Sequence, residues 1–330
     1  MSEVFTGSAK KSIHQLVLDL RHHRAGIYWL DMLASGLIFW ACALGVAFLP
    51  VSWLMGMLLI LVGSLALYRA ALFVHEIGHF SRGTLLGFEV AWNALIGWPL
   101  LFPSFFIQSH PDHHRMASFG TVNDPEYLPF ATAPRIIRIW FVLGSALTPV
   151  LLLLRACLIV PASWIWPPLQ RWLRIKGSRM TMNNMYQPAA NLQKLTGWHE
   201  LSEVMTALAV WAWILATCFL LLPWALPASL LVCMMLANML NGWRTLHAHA
   251  YTSTGQATDF IGQLRDSTTF KLPAWIGELV APVGQRFHAA HHLFPYLPYH
   301  ALAQAHERVM ASSWAGREDY LQTCRTPSLR

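Results

Sequence analysis

Two stretches of the chain contain no charged residue: Met32 to Tyr68 and Val204 to Trp243. A single pass through a bilayer needs roughly 20 apolar residues, so each stretch is long enough for two. Each is also broken near its middle, by Pro50 with Ser52 in the first and by Pro223 and Pro227 in the second. The pattern therefore predicts two transmembrane helical hairpins, with spans at about 28–49, 52–74, 204–222 and 225–246. Two further apolar segments carry interruptions. Val90 to Ile107 contains Pro99 and Pro103; Ile139 to Leu169 contains Pro149, Arg155 and Pro161. Both are expected to be interfacial or partly immersed helices, because a single crossing by either would put the histidine clusters described below on opposite faces of the membrane.

Basic residues lie outside the hairpins, at Lys10, Lys11, Arg21 and Arg24 and again at Arg171, Arg174, Lys176 and Arg179, while the turns between spans have none. By the positive-inside rule this places both hairpin openings in the cytoplasm. Composition agrees: of 330 residues, 55% are hydrophobic and 12% charged, against about 25% charged in an ordinary soluble domain. Mean hydropathy is +0.41. The N-terminal segment is polar and charged through Arg24, and the apolar run after it is too long for a signal peptide core. No repeat, low-complexity tract or second domain is legible, so residues 1–330 are read as one domain. The net charge of +7 sits beside apolar runs, which argues for membrane flanks and against a nucleic-acid partner. The five cysteines have no CxxC spacing, which argues against a thiolate metal site or a disulfide framework.

The 16 histidines are clustered. His75 and His79 lie in HEIGH at the cytoplasmic end of the second span. His110, His113 and His114 lie in HPDHH, His288, His291 and His292 in HAAHH, and His247 and His249 in RTLHAHAY after the fourth span. Spacings of three and four put side chains on one helix face, and neutral imidazole is a ligand for iron, zinc, copper or nickel. Eight or nine such nitrogens exceed the needs of one catalytic ion, so two ions are expected; spacing does not choose the metal. HEIGH also satisfies HExxH, the zinc-protease motif, but that reading needs a third ligand on another span and leaves both HxxHH boxes unused. A metal transporter would place polar groups near mid-membrane, where these spans have few.

HEIGH, HPDHH followed by NDPEYLP, RTLHAHAY and FHAAHHLFPYLPYHAL together resemble the membrane fatty acid desaturase family, over about Arg69 to Pro129 and Asn241 to His306; TMNNMY at Thr181–Tyr186 resembles a weaker family feature. The resemblance implies an all-α integral membrane fold of four spans with a cytoplasmic histidine-rich cap. It implies two iron ions held by His75, His79, His110, His113, His114, His288, His291 and His292, with His249 favoured over His247 as the ninth ligand. It implies O2 as co-substrate and a fatty acid or fatty acyl substrate. Asn241, eight residues before His249, would face the same way on a continuous helix and either bind metal through water or pack between spans. Asp124, Glu126 and Asp266 are candidates to receive the second N–H of the metal-bound rings, or to act as surface or capping residues. Arg244 either anchors an acidic head or snorkels to the interface.

Two electrons must come from outside, since no flavin or dinucleotide fingerprint is present; a ferredoxin-like donor on the basic face is expected. The same boxes serve desaturation, hydroxylation and decarboxylation to a terminal alkene. Desaturation is the expected outcome, in a bacterial inner membrane with both termini and the histidines on the cytoplasmic side.

Overall fold

The computed structural model describes residues 13–81, 83–179, 181–188 and 196–327; Lys10 and Lys11, counted above among the basic flanks, lie outside them. The first hairpin is α1 (Ala25–Phe48) and α2 (Trp53–His79). Leu49 to Ser52 turn the chain, and the Ser52 hydroxyl caps α2 by accepting from the Met55 N–H at 3.3 Å. At 27 residues, α2 is about 40 Å long, longer than the ~30 Å hydrocarbon core. Its last turns, which carry His75 and His79, can therefore stand clear of the lipid. The second hairpin is formed by two later helices, Gly197–Cys218 and Ala225–Ala248.

Between the hairpins the chain does two things. After Phe88–Trp92 it passes through a π turn at Asn93–Gly97 and a 3-10 turn at Ser104–Ser109. Asn93 and Ser104 fold this stretch back on itself. The Asn93 amide donates to Ser104 Oγ at 2.7 Å, its carbonyl accepts from the Ser104 N–H at 2.9 Å, and Ser104 Oγ donates to Glu89 at 2.6 Å. The short helix α3 (His110–His113) follows. The helical run α4 (Arg135–Ile165) comes next, with α5 (Gly197–Cys218) and α6 (Ala225–Ala248) completing the bundle.

The interruptions at Pro149, Arg155 and Pro161 do not divide the segment: α4 is helical through all three, and at 31 residues it is long and apolar enough to cross a membrane. Both prolines sit in the first turn of a helical piece, where no N–H is missed. A 3-10 turn at Ser145–Leu147 and a π turn at Arg155–Ile159 absorb the irregularity. Five helices among the described residues, not four, thus reach crossing length.

The first half of α4 packs along α6. A Cβ at Gly242 would meet Ser145 Oγ at 2.6 Å, and Ser145 Oγ donates to the Asn238 carbonyl at 3.0 Å. From its π turn onward α4 leaves α6 for α5. The buried Arg155 guanidinium pairs with Glu203 and donates to Ser178, and Val160 packs with Ala207 and Leu173.

The last third of the chain forms the cap with α3. It contains α7 (Phe260–Asp266), α8 (His288–Leu293) and α9 (Leu302–Ala311). A two-residue parallel pairing of β1 (Thr269–Phe270) with β2 (Cys324–Arg325) ties the tail down. Its apolar core joins Leu264, Ala290, Phe294 and Leu302 to Ile13 and Val17 from the start of the described chain.

Candidate metal centre

The histidines arrive from four directions. His75 and His79 occupy the last two turns of α2. The HPDHH box begins with α3, where Pro111 fits the first helical turn because its missing N–H costs nothing there. HAAHH is α8. α6 stops at Ala248, and His249 follows in an extended conformation, pinned by a bridge to Ser267.

Nine rings meet in two groups: His75, His79, His110, His114 and His291 in one, His113, His249, His288 and His292 in the other. Within each group one nitrogen per ring lies within 4.8 Å of every other. A first-row ion with imidazole ligands at about 2.0–2.1 Å, as for zinc, puts opposite nitrogens about 4 Å apart. The two HxxHH boxes split crosswise. In the first, the outer pair His110 and His114 joins the five-ring group and His113 the other; in the second, His288 and His292 join the four-ring group and His291 the other.

The donor chemistry fits metal. His75 has both ring nitrogens buried without a partner, and His79 has its Nε2 so. The other seven Nε2 atoms approach only one another, as in His113 to His249 at 3.1 Å, His288 to His249 at 3.0 Å and His110 to His114 at 3.0 Å. Buried polar atoms are normally satisfied by protein or water, and crowded imidazole lone pairs are satisfied best by a cation. The cysteines are free and belong to neither group.

Acids stand behind some of these rings. His113 Nδ1 donates to Asp124 at 2.9 Å and His110 Nδ1 to Glu126 at 2.6 Å. His249 Nδ1 lies 3.2 Å from Asp266 Oδ1, out of line for a hydrogen bond. Burial acts to raise Glu126, but the His110 and His113 rings and Arg244 together outweigh it and hold the carboxyl at about 2. Asp266 is likewise held at about 2 by His249 against the effect of burial. Both are carboxylates at neutral pH, as a ring N–H partner requires.

Other residues brace the centre without having been singled out in the sequence. Asp266 Oδ2 accepts from the Tyr127 hydroxyl and from the Thr252 N–H, each at 2.8 Å. Gln263 Nε2 is 3.4 Å from His292 Nδ1. The TMNNMY segment clasps the first box: Tyr186 donates to Asp112 at 2.7 Å and Asn183 to the Asp124 carbonyl at 2.9 Å. Glu76, the would-be base of a protease, accepts from Tyr28 at 2.5 Å and from the Tyr299 N–H at 3.0 Å, a tie between α1, α2 and the cap.

Two further candidates sit differently from expectation. α6 ends before His249, so the helical phase linking that residue to Asn241 does not exist. Asn241 lines an apolar cavity, and its Oδ1 accepts from Arg244 at 3.0 Å. Arg244 also donates to the buried Gln285 at 2.7 Å, which ties α6 to the segment leading into α8. His247 packs at a tilt against Trp243 and lies outside both groups.

The fatty acid desaturase family model matches residues 51–321. A ceramide hydroxylase of Caulobacter vibrioides (strain NA1000 / CB15N) is 34% identical over 317 residues, covering 92% of this chain and 86% of the relative. No solved structure matches.

Proposed function

Since the chain belongs to the fatty acid desaturase family, we propose that it is an O2-dependent, membrane-bound hydroxylase of a ceramide-like lipid. The observation that carries hydroxylation is the 34% identity to a ceramide hydroxylase over 92% of the chain. Desaturation is the second reading and rests on the family match; decarboxylation has no support beyond the shared boxes. The balances differ. Hydroxylation turns C–H, O2, two electrons and two protons into C–OH and one water. Desaturation uses the same inputs to remove two hydrogens and make two waters.

In this reading His75, His79, His110, His114 and His291 hold one iron and His113, His249, His288 and His292 the other. Iron bound there would supply the activation of O2 with electrons from an external, ferredoxin-like donor. The chain's own residues do the rest. Asp124, Glu126 and Asp266 fix the orientation of the His113, His110 and His249 rings. The cap's apolar core and the packed rings keep bulk water from the centre. The bundle holds the lipid.

Four crossings and a cytoplasmic centre complete the proposal, with both termini on the same side, in a bacterial inner membrane. The contacts of α4 support this count. Its first half descends beside α6, and its last part lies beside Glu200 and Val204 in the first turns of α5. The opening of α5 stands near the histidine end of the bundle, where His199 packs on Phe105 and Trp198 donates to Glu89. Both ends of α4 then lie on one side, and a run that dips and returns satisfies its apolar face without crossing.

The test is expression in a host supplied with ceramide, followed by mass spectrometry of extracted lipids. A product one oxygen heavier supports hydroxylation. A product two hydrogens lighter moves the assignment to desaturation, and unchanged lipid from an iron-loaded, electron-supplied enzyme refutes both.

A further inference from the structure

A cavity of ≈ 110 Å³ lies between α2, α4 and α6, and its lining includes Val74, the chain neighbour of His75. It shares Met234 with a second, mostly apolar cavity of ≈ 390 Å³ that lies toward the turn between α5 and α6. The lining residue Ala71 is one turn before His75 on α2, about 6 Å along the axis. A chain container of this kind needs no polar groups. This one has Thr148, Asn238 and Asn241 in its wall.

Their unused hydrogen-bonding capacity is specific. Asn241 Oδ1 is taken by Arg244, so its amide N–H₂ remains as a donor. Asn238 gives its amide N–H to the Met234 carbonyl at 2.9 Å, so its Oδ1 remains as an acceptor. Both orientations are fixed by chemistry, because an arginine can only donate and a carbonyl can only accept. The two asparagines are three residues apart on one face of α6. Together they offer one donor and one acceptor, the complement of a secondary amide.

We propose that Asn241 and Asn238 read the amide group of the substrate, through its C=O and N–H respectively, and thereby select amide-linked over ester-linked lipids. This rests on the lipid-hydroxylation reading above and adds to it a specificity device and a position. An ester has no N–H, so it leaves Asn238 Oδ1 unpaired in an apolar wall, which is costly. With the amide held in a cavity whose wall reaches to within one turn of His75, the oxidised carbon is near the amide and not deep in the chain.

The experiment compares an N-acyl sphingoid base with its ester isostere, in which O replaces N–H. Binding is read as the rise in melting temperature of the detergent-solubilised protein, with or without iron; turnover is read as kcat/KM with the iron-loaded enzyme. Wild type should favour the amide roughly tenfold or more in both. Asn238→Leu should cut that preference to near unity, chiefly by losing the amide substrate while still oxidising the ester. Tandem mass spectrometry should place the new hydroxyl near the amide. Equal use of amide and ester by wild type overturns the proposal, and so does oxidation far along the chain. An amide preference that survives in Asn238→Leu removes Asn238 from it. The wild-type comparison needs no variant to fold. If neither lipid is oxidised at all, it is the hydroxylase reading that fails.

Discussion

The two groups of histidines hold the same type of ligand by different means. In the four-ring group, His113 donates to Asp124, His249 faces Asp266 at 3.2 Å without a hydrogen bond and His292 lies 3.4 Å from Gln263, while Nδ1 of His288 is buried without a hydrogen bond. In the five-ring group His110 donates to Glu126, His75 faces Glu76 only at 3.8 Å, and Nδ1 of His75, His114 and His291 is buried without a hydrogen bond. The five-ring group draws two ligands from the end of a long helix, where the backbone itself fixes direction. The four-ring group depends on His249, which is outside any helix and needs outside support. Rigid secondary structure and hydrogen-bonded carboxylates are thus alternative ways of aiming an imidazole.

If that contrast is right, removing ligands has the largest effect and separates the sites. His249→Ala should abolish turnover and lower bound iron by about half, measured by elemental analysis of purified protein; His291→Ala should do the same at the other site. Full iron content in either variant would break the assignment. Next in size, Asp266→Asn and Asp124→Asn should weaken metal affinity by roughly 10–100-fold and make the four-ring ion the first lost in a chelator titration. Simultaneous loss of both ions would show that the groups are not separately braced. Gln263→Leu removes a long contact and should change affinity less than tenfold. Smallest of all, Glu76→Gln should leave iron and turnover nearly intact. It replaces one acceptor in the Tyr28 and Tyr299 tie, at a cost of about 1 kcal/mol in stability, read from the denaturation midpoint; loss of all activity would instead revive a catalytic role for Glu76.

Much of this architecture is legible in the sequence, because crossing lengths and histidine spacings follow from helix geometry alone. Four of the five long helices are visible as charge-free runs with breaks. The unbroken length of α4 is not legible because proline looks like a stop signal, whereas Pro149 and Pro161 enter helical pieces at their first turn and Arg155 finds Glu203. The meeting of the boxes is legible, but their crosswise division is not. At about 100° per residue, outer histidines four apart diverge by only about 40° and stay together, while the remaining ring points well away from its neighbour. Which ion each reaches depends on how α2, α3 and α8 are docked. The helical phase from Asn241 to His249 is lost for a related reason: α6 ends at a point that RTLHAHAY does not announce. Tyr186, Tyr127 and Gln263 carry no spacing signal, and only their place against Asp112, Asp266 and His292 gives them a role.

The crosswise sharing of α8 also has a consequence for biosynthesis. His291 completes one group, and His288 and His292 complete the other. Synthesis runs from the N-terminus, so both hairpins can be made and inserted before any of these three residues exists. Neither ion can then be held by its full ligand set until the ribosome has passed Leu293. A prematurely ended chain would enter the membrane with both groups incomplete.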